Sequence, residues 1–132
     1  SLGTILLKPT NIYVQEVLNL NKLLKISSIA HITGGGFFEN IPRMLNENQK
    51  ANITFDFADW PTFKYFKWIQ DVAKISEENM LRTFNCGIGL MITVSPEDEE
   101  ITLGTLNQST FFAKTIGSIE ENQGNEPSIN FA

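Results

Sequence analysis

The chain has 132 residues, 42% hydrophobic and 19% charged, a balance that excludes a disordered chain and suits one ordinary domain with its own core. Its net charge of −5 argues against a nucleic-acid binder, which carries a basic face, but leaves an anionic small molecule open, because local donors can outvote global charge. No apolar run approaches the length of a membrane helix, so neither nucleic acid nor membrane is an expected partner.

A single cysteine, Cys86, rules out an internal disulfide and a cysteine-rich zinc site, and fits a reducing, cytoplasmic compartment. A single histidine, His31, rules out a metal site built on two histidines of this chain, and no metal ligand set is expected. The N-terminal SLGTILLKPT has no initiator Met and no basic region before an apolar stretch, so it does not read as a signal peptide. A start at Ser1 suggests a fragment, and the chain is expected to be one domain over residues 1–132.

In chain order, Pro9 and Thr10 predict entry into a helix that runs to about Leu24, with Tyr13, Val17, Leu20 and Leu24 on one apolar face. SSIAHIT (27–33) predicts a strand bounded by glycines. Ile41, Met44 and Leu45 suggest a short helix whose start is limited by Pro42, since a proline ring is tolerated only in a first turn. On that reading the preceding loop extends past Phe37 and Phe38. ANITFDF (51–57) alternates, with Ile53, Phe55 and Phe57 on one side and Asn52, Thr54 and Asp56 on the other, a strand with one wet face.

TFKYFKWIQDVAK (62–74) reads as a helix with Tyr65, Trp68, Ile69 and Val72 turned to the core. Ser76 caps the next helix, with Glu77 and Glu78 in its first turn, Ile75 and Met80 spaced as a hydrophobic staple, and an end near Phe84. CGIGLMITV (86–94) predicts a central strand. A weaker helix over 97–108 has Ser95 or Asp98 as its cap. FFAKTIGSI (111–119) predicts another strand, and the tail turns at Gly124 and Pro127 before a short edge strand. Helices and strands interleave without strict βαβ order, so the expected fold class is α+β, a layered α/β domain with a mixed sheet.

Chemistry is concentrated in three stretches. In HITGGGFFENIPR (31–43), consecutive glycines permit positive φ and let backbone N–H groups converge, which suits an anion. The pattern is neither a P-loop nor a dinucleotide fingerprint, and the glycines alone serve equally as a bare turn. Glu39, Asn40 and Arg43 follow within five residues; Arg43 and Arg82 are the only arginines among ten basic residues, a hint that a planar fork is wanted there. A pair between Glu39 and Arg43, four apart, is the plainer reading. In RTFNCGIG (82–89), Gly87 and Gly89 allow close backbone approach, Asn85 serves a ligand or a cap, and Cys86, with no base nearby, reads better as a buried thiol than as a nucleophile. In KPTNIY (8–13), Lys8 offers a point charge, though a solvated lysine explains it as well.

KPTNIYVQEVL, AHITGGGFFENIPRML and ISEENMLRTFNCGIG together resemble the signature blocks of AIR synthetase (phosphoribosylformylglycinamidine cyclo-ligase), in the order and spacing of its C-terminal half, over about Leu6 to Ile119. The resemblance implies a partly ferredoxin-like C-terminal domain of a two-domain, homodimeric enzyme of purine synthesis. In that family ATP activates a formamide oxygen as a phosphate ester, and an amidine nitrogen attacks to close the imidazole ring. ATP and Mg2+ would be held mainly by an N-terminal half that this sequence lacks, so this chain alone is not expected to catalyse.

Carried over by position, Thr33, Gly34, Gly35, Gly36, Glu39, Asn40, Arg43, Asn85 and Gly87 are the implied substrate or phosphate site, with His31, Lys8, Arg82 and Cys86 as further candidates and Gly89 matching the second block. The glycine backbone and Thr33 are expected to hold a phosphate, Asn40 or Arg43 to orient substrate, and Gly35→Val to weaken binding. The catalytic base is not identified. The sequence departs from the family at Asn11, where many relatives carry Arg, at Asn46, where Pro is common, and over 101–110. Competing readings are another member of the same ATP-dependent superfamily, such as formylglycinamidine ribonucleotide synthase, thiamine-phosphate kinase or selenophosphate synthetase, and a stand-alone phosphate-binding module.

Overall fold

The computed structural model describes residues 2–132. Helix α1 (Leu2–Leu6) was not anticipated, and the chain from Lys8 to Ile12 is irregular. Helix α2 spans Val14–Leu23, so it starts after Tyr13 rather than at Thr10. Its apolar face is nevertheless the expected one: Leu20 is fully buried, and Tyr13, Val17 and Leu24 are half-buried.

Strand β1 (Ser28–His31) pairs antiparallel with β3 (Leu90–Thr93), from Ser28 opposite Thr93 to His31 opposite Leu90. The predicted strand over 86–94 is thus shortened at its start. Cys86 (φ 49°) and Gly87 (φ 98°) are left-handed, which no strand accommodates, and the segment before Leu90 is a turn. The strand is also half-buried in a two-stranded sheet rather than central.

The second sheet has the order β4-β2-β5. Strand β2 (Gln49–Ile53) runs antiparallel to β4 (Gly117–Glu121) and parallel to β5 (Ser128–Phe131), so this sheet is mixed, as expected, and β5 is the short edge strand of the tail. The predicted strand over 51–57 ends early because Asp56 accepts from the Ala58 N–H (2.8 Å) and opens a 3-10 turn at Phe57–Asp59. The side-chain alternation still holds, with Ala51, Ile53 and Phe57 buried. The segment 111–116 is not strand; β4 begins only at Gly117, where any side chain would strike the Asn52 carbonyl of β2.

Helix α3 (Gly36–Asn40) contains Phe37 and Phe38, which corrects the expectation that the loop extends past them. Pro42 does not delay the helix. The chain tightens after Asn40 into a 3-10 turn, Ile41–Met44, and Pro42 sits in its first turn, where a missing N–H costs least. Helices α4 (Phe63–Ala73), α5 (Glu77–Thr83) and α6 (Glu99–Asn107, entered through a 3-10 turn at Pro96–Asp98) lie close to their predicted places. Ser76 caps α5, accepting from the Asn79 N–H at 3.3 Å. Helix α4 is rotated from its predicted face: Trp68 and Val72 are exposed, while Phe63 and Phe66 pack on the core. Phe63 and Phe66 are three apart, as are Tyr65 and Trp68, so periodicity alone could not choose between the stripes.

One apolar core joins both sheets to α3 and α5: Ala30 and Ile32, Phe37 and Ile41, Ala51 and Ile53, Phe57, Met80 and Leu81, Cys86 and Ile88. Phe37 is fully buried and meets Phe57 edge-on at 5.2 Å, a favoured aromatic geometry. The fold is α+β, and its core anchors the glycine segment from both ends, at Ile32 and at Phe37.

Candidate functional site

The three stretches meet at the C-terminal end of β1. Ile32 donates to the Gly89 carbonyl (2.9 Å), which ties the glycine loop to the second stretch. Tyr13, from the first stretch, lies edge-on to His31 with ring centroids 6.2 Å apart, and its hydroxyl rests where a side chain at Gly89 would stand. Gly89 is therefore a close-approach glycine for Tyr13.

The three glycines of the loop have separate jobs. Gly36 (φ 56°) opens α3 against α5, and a Cβ there would stand closer than 3.0 Å to the Leu81 carbonyl and 2.8 Å from the Arg82 carbonyl carbon. Only glycine allows that helix contact. Gly35 (φ 88°) carries the left-handed turn, and a Cβ on it would collide with the Glu39 side chain. Gly34 meets neither constraint: it is exposed, its φ is not in the left-handed region, and a Cβ would find open space.

Asn40, the one charged-or-amide side chain of the stretch that is buried, lies under this loop. Its Nδ2 donates to the carbonyl of Gly36 (2.7 Å) and reaches those of Gly34 (3.2 Å) and Thr33 (3.5 Å), while its Oδ1 accepts from Arg43 Nη1 (3.4 Å). Both ends of the amide make hydrogen bonds within the domain, Nδ2 to the loop carbonyls and Oδ1 from Arg43. The Glu39–Arg43 pair does not form either; among the described residues Arg43 faces no carboxylate. A 3-10 turn brings residues three apart together, and Asn40 and Arg43 are three apart. Glu39 and Thr33 are exposed beside the loop.

In the second stretch, Asn85 acts as a turn cap, its Oδ1 accepting from the Gly87 N–H (2.9 Å). The Gly87 carbonyl accepts from Trp60 Nε1 (2.8 Å), and a Cβ on Gly87 would strike Thr62 and Trp60. Trp60 and Thr62 were missed from sequence; nothing local links them to a glycine so far along the chain. Arg82 pairs with Glu78 (2.8 Å) and stacks over Phe38 (4.0 Å), which pins α5 to α3 rather than offering a free charge to the loop. Lys8 is exposed, its backbone N–H closing α1 on the Ile5 carbonyl.

Cys86 is buried, its Sγ directed at the carbonyls of Met80 (3.9 Å) and Phe84 (4.0 Å). Burial, with the Glu77 carboxylate adding to it, pushes its pKa from 9.0 up to about 11. A thiol held protonated is a poor nucleophile. The raised value also sets a stability trend. The thiol stays protonated in the fold after the unfolded chain would release its proton, so the contribution of Cys86 is intact below pH 9 and is lost as pH rises from about 9 to about 11. Urea midpoints across that range are expected to fall, and to fall less steeply in Cys86→Ala; equal slopes would refute the assignment.

Among the described residues, no three His, Cys, Asp or Glu side chains gather that could hold a metal ion.

What the fold and site define is an α+β domain in which a glycine loop held by Asn40 is tied, through the Ile32–Gly89 hydrogen bond, to the stretch that carries a capped NCG turn. The family profile described as "AIR synthase related protein, C-terminal domain" matches residues 1–130, and the chain belongs to that family. It is 43% identical over 124 residues to the phosphoribosylformylglycinamidine cyclo-ligase of Exiguobacterium sp. (strain AT1b), and 42% identical over 124 residues to that of Chromobacterium violaceum. Each alignment covers 94% of this chain but only 36% and 35% of the relative, so the chain spans about a third of the length of the curated relatives it matches.

Proposed function

We propose that this chain is the C-terminal domain of an ATP-dependent cyclo-ligase that closes the imidazole ring of formylglycinamidine ribonucleotide, giving aminoimidazole ribonucleotide, ADP and phosphate in the cytoplasm. The observation that supports it most is the convergence of the three signature stretches at the C-terminal end of β1, in a chain 43% identical to a cyclo-ligase. The backbone at exposed Gly34 and half-buried Gly35, with Thr33 beside it, forms the cradle for a phosphate, either the ribonucleotide's own or the one transferred from ATP. Glu39 suits another role there. A carboxylate repels phosphate, but it accepts readily from an amidine N–H. The other wall of the cleft, the ATP and Mg2+ contacts and the homodimer contacts belong to a further N-terminal domain.

The curated relatives favour the cyclo-ligase over other members of the superfamily. The test is ATP-dependent cyclisation by the full-length protein that carries this chain and by this chain alone. Activity in the first and none in the second is expected. No activity in the full-length protein refutes the enzyme and leaves a phosphate-binding module; activity in the isolated chain refutes the missing wall.

A further inference from the structure

Asn40 is buried under the loop, and Arg43, itself exposed, donates to its Oδ1; this geometry gives the pair a task beyond substrate contact. A trans peptide holds its C=O and the following N–H in one plane and pointing opposite ways. No peptide bond of the described residues is cis. When Nδ2 of Asn40 draws in the carbonyls of Thr33 and Gly34, the N–H groups of Gly34 and Gly35 must therefore point away from it, to the outer side of the loop. The shortest of the three bonds, to Gly36 (2.7 Å), anchors the same amide to the first residue of α3. The Gly36 N–H closes the turn on the Thr33 carbonyl (3.1 Å). Neither Gly34 nor Gly35 has a partner for its N–H among the described residues.

An amide nitrogen can face carbonyls only if its oxygen faces a donor or water. Arg43 supplies that donor to Oδ1 at 3.4 Å. A buried amide that turned over would set its oxygen against three carbonyl oxygens, so the guanidinium selects the orientation that turns the loop's donors outward.

We propose that Asn40 and Arg43 are positioning residues: Asn40 fixes the Gly34 and Gly35 N–H groups as a preorganised pair of donors for a phosphate oxygen, and Arg43 holds Asn40 in the orientation this requires. This rests on the cyclo-ligase reading for the identity of the ligand, but not for the clamp itself. Donors fixed in advance bind without the cost of ordering a glycine loop, which is otherwise the most mobile backbone available.

The test has two arms. In this chain, Asn40→Asp and Arg43→Gln are compared with wild type by the amide resonances and hydrogen exchange of Gly34, Gly35 and Gly36. Both variants are expected to shift these resonances and speed their exchange, Asn40→Asp more, and Arg43→Lys is expected to restore them in part. Unchanged glycine amides in a folded Arg43→Gln overturn the clamp, whatever Asn40→Asp does to folding. In the full-length protein, loss of preorganised donors is expected to raise KM for the ribonucleotide roughly tenfold or more in Asn40→Asp, with kcat changed much less, because the phosphate is held in ground and transition states alike. Altered glycine amides with an unaltered KM overturn the positioning role while the enzyme reading stands. Absence of cyclisation by the wild type overturns the enzyme reading, and the ligand assignment with it, while the amide arm still decides the clamp.

Discussion

Replacing Gly36 by alanine is expected to cost this fold about 2–5 kcal/mol, combining the strain of a left-handed non-glycine residue with a steric clash in a packed core. The clash is with backbone. The Leu81 carbonyl and the Arg82 carbonyl carbon belong to α5 and cannot rotate aside as a side chain would. Helix α3 would have to lift off α5, and with it Phe37, which is fully buried, and the stacking of Arg82 on Phe38. A loss of that size is a large part of the 5–15 kcal/mol that stabilises an ordinary domain, so much of the protein would unfold in mild denaturant. Gly34→Ala is the internal control. It meets no atom within 4 Å and no left-handed φ, so its urea midpoint should match wild type. Equal midpoints for both variants would show that α3 and α5 do not make this contact.

Gly34→Val in the full-length protein is expected to raise KM for the ribonucleotide roughly ten- to a hundredfold while leaving thermal stability unchanged, as for the loss of one or two backbone donors to a bound oxyanion. A Cβ there meets open space, so the branched side chain adds bulk beside the loop without a clash at Cβ. This position reads out binding better than Gly35, the substitution that the sequence suggested. At Gly35 a valine would face both a φ of 88° and the Glu39 side chain, so lost binding and lost folding could not be separated. Steady-state kinetics beside a melting curve make the measurement. An unaltered KM at an unaltered melting temperature would exclude the ribonucleotide's own phosphate from the glycine loop.

Much of the architecture was legible because it is local. The Ser76 cap, the bounds of α4, the alternation of Ile53, Phe55 and Phe57 and the apolar face of α2 each follow from residues within a turn or two of one another. The misreadings share a cause. The rotation of α4 depends on Phe63 and Phe66 finding the core before Trp68 does. The shortening of β3 depends on Trp60 and Thr62 closing on Gly87 from another element. Neither partner is visible from the local pattern.

The candidate site divides in the same way. The resemblance of three long blocks named the candidate positions, but it did not show what each side chain touches. Nothing in the sequence shows that Asn40 bonds three carbonyls or that Arg82 meets Glu78 and Phe38. Glycine needs in particular cannot be read from glycine identity. Gly34, Gly35 and Gly36 are the same letter, yet one is free, one carries a left-handed turn and one holds two helices together.

The central claim is that the backbone of the glycine loop receives a phosphate. Its most direct test follows the glycine amide resonances of the full-length protein, labelled with 15N-glycine, during titration with formylglycinamidine ribonucleotide and, separately, with the ribonucleoside that lacks the 5′-phosphate. In the presence of a non-hydrolysable ATP analogue, saturable downfield shifts of Gly34 and Gly35 with the ribonucleotide, and none of comparable size with the ribonucleoside, are the expected result. Ribonucleotide binding that leaves both resonances in place would contradict it.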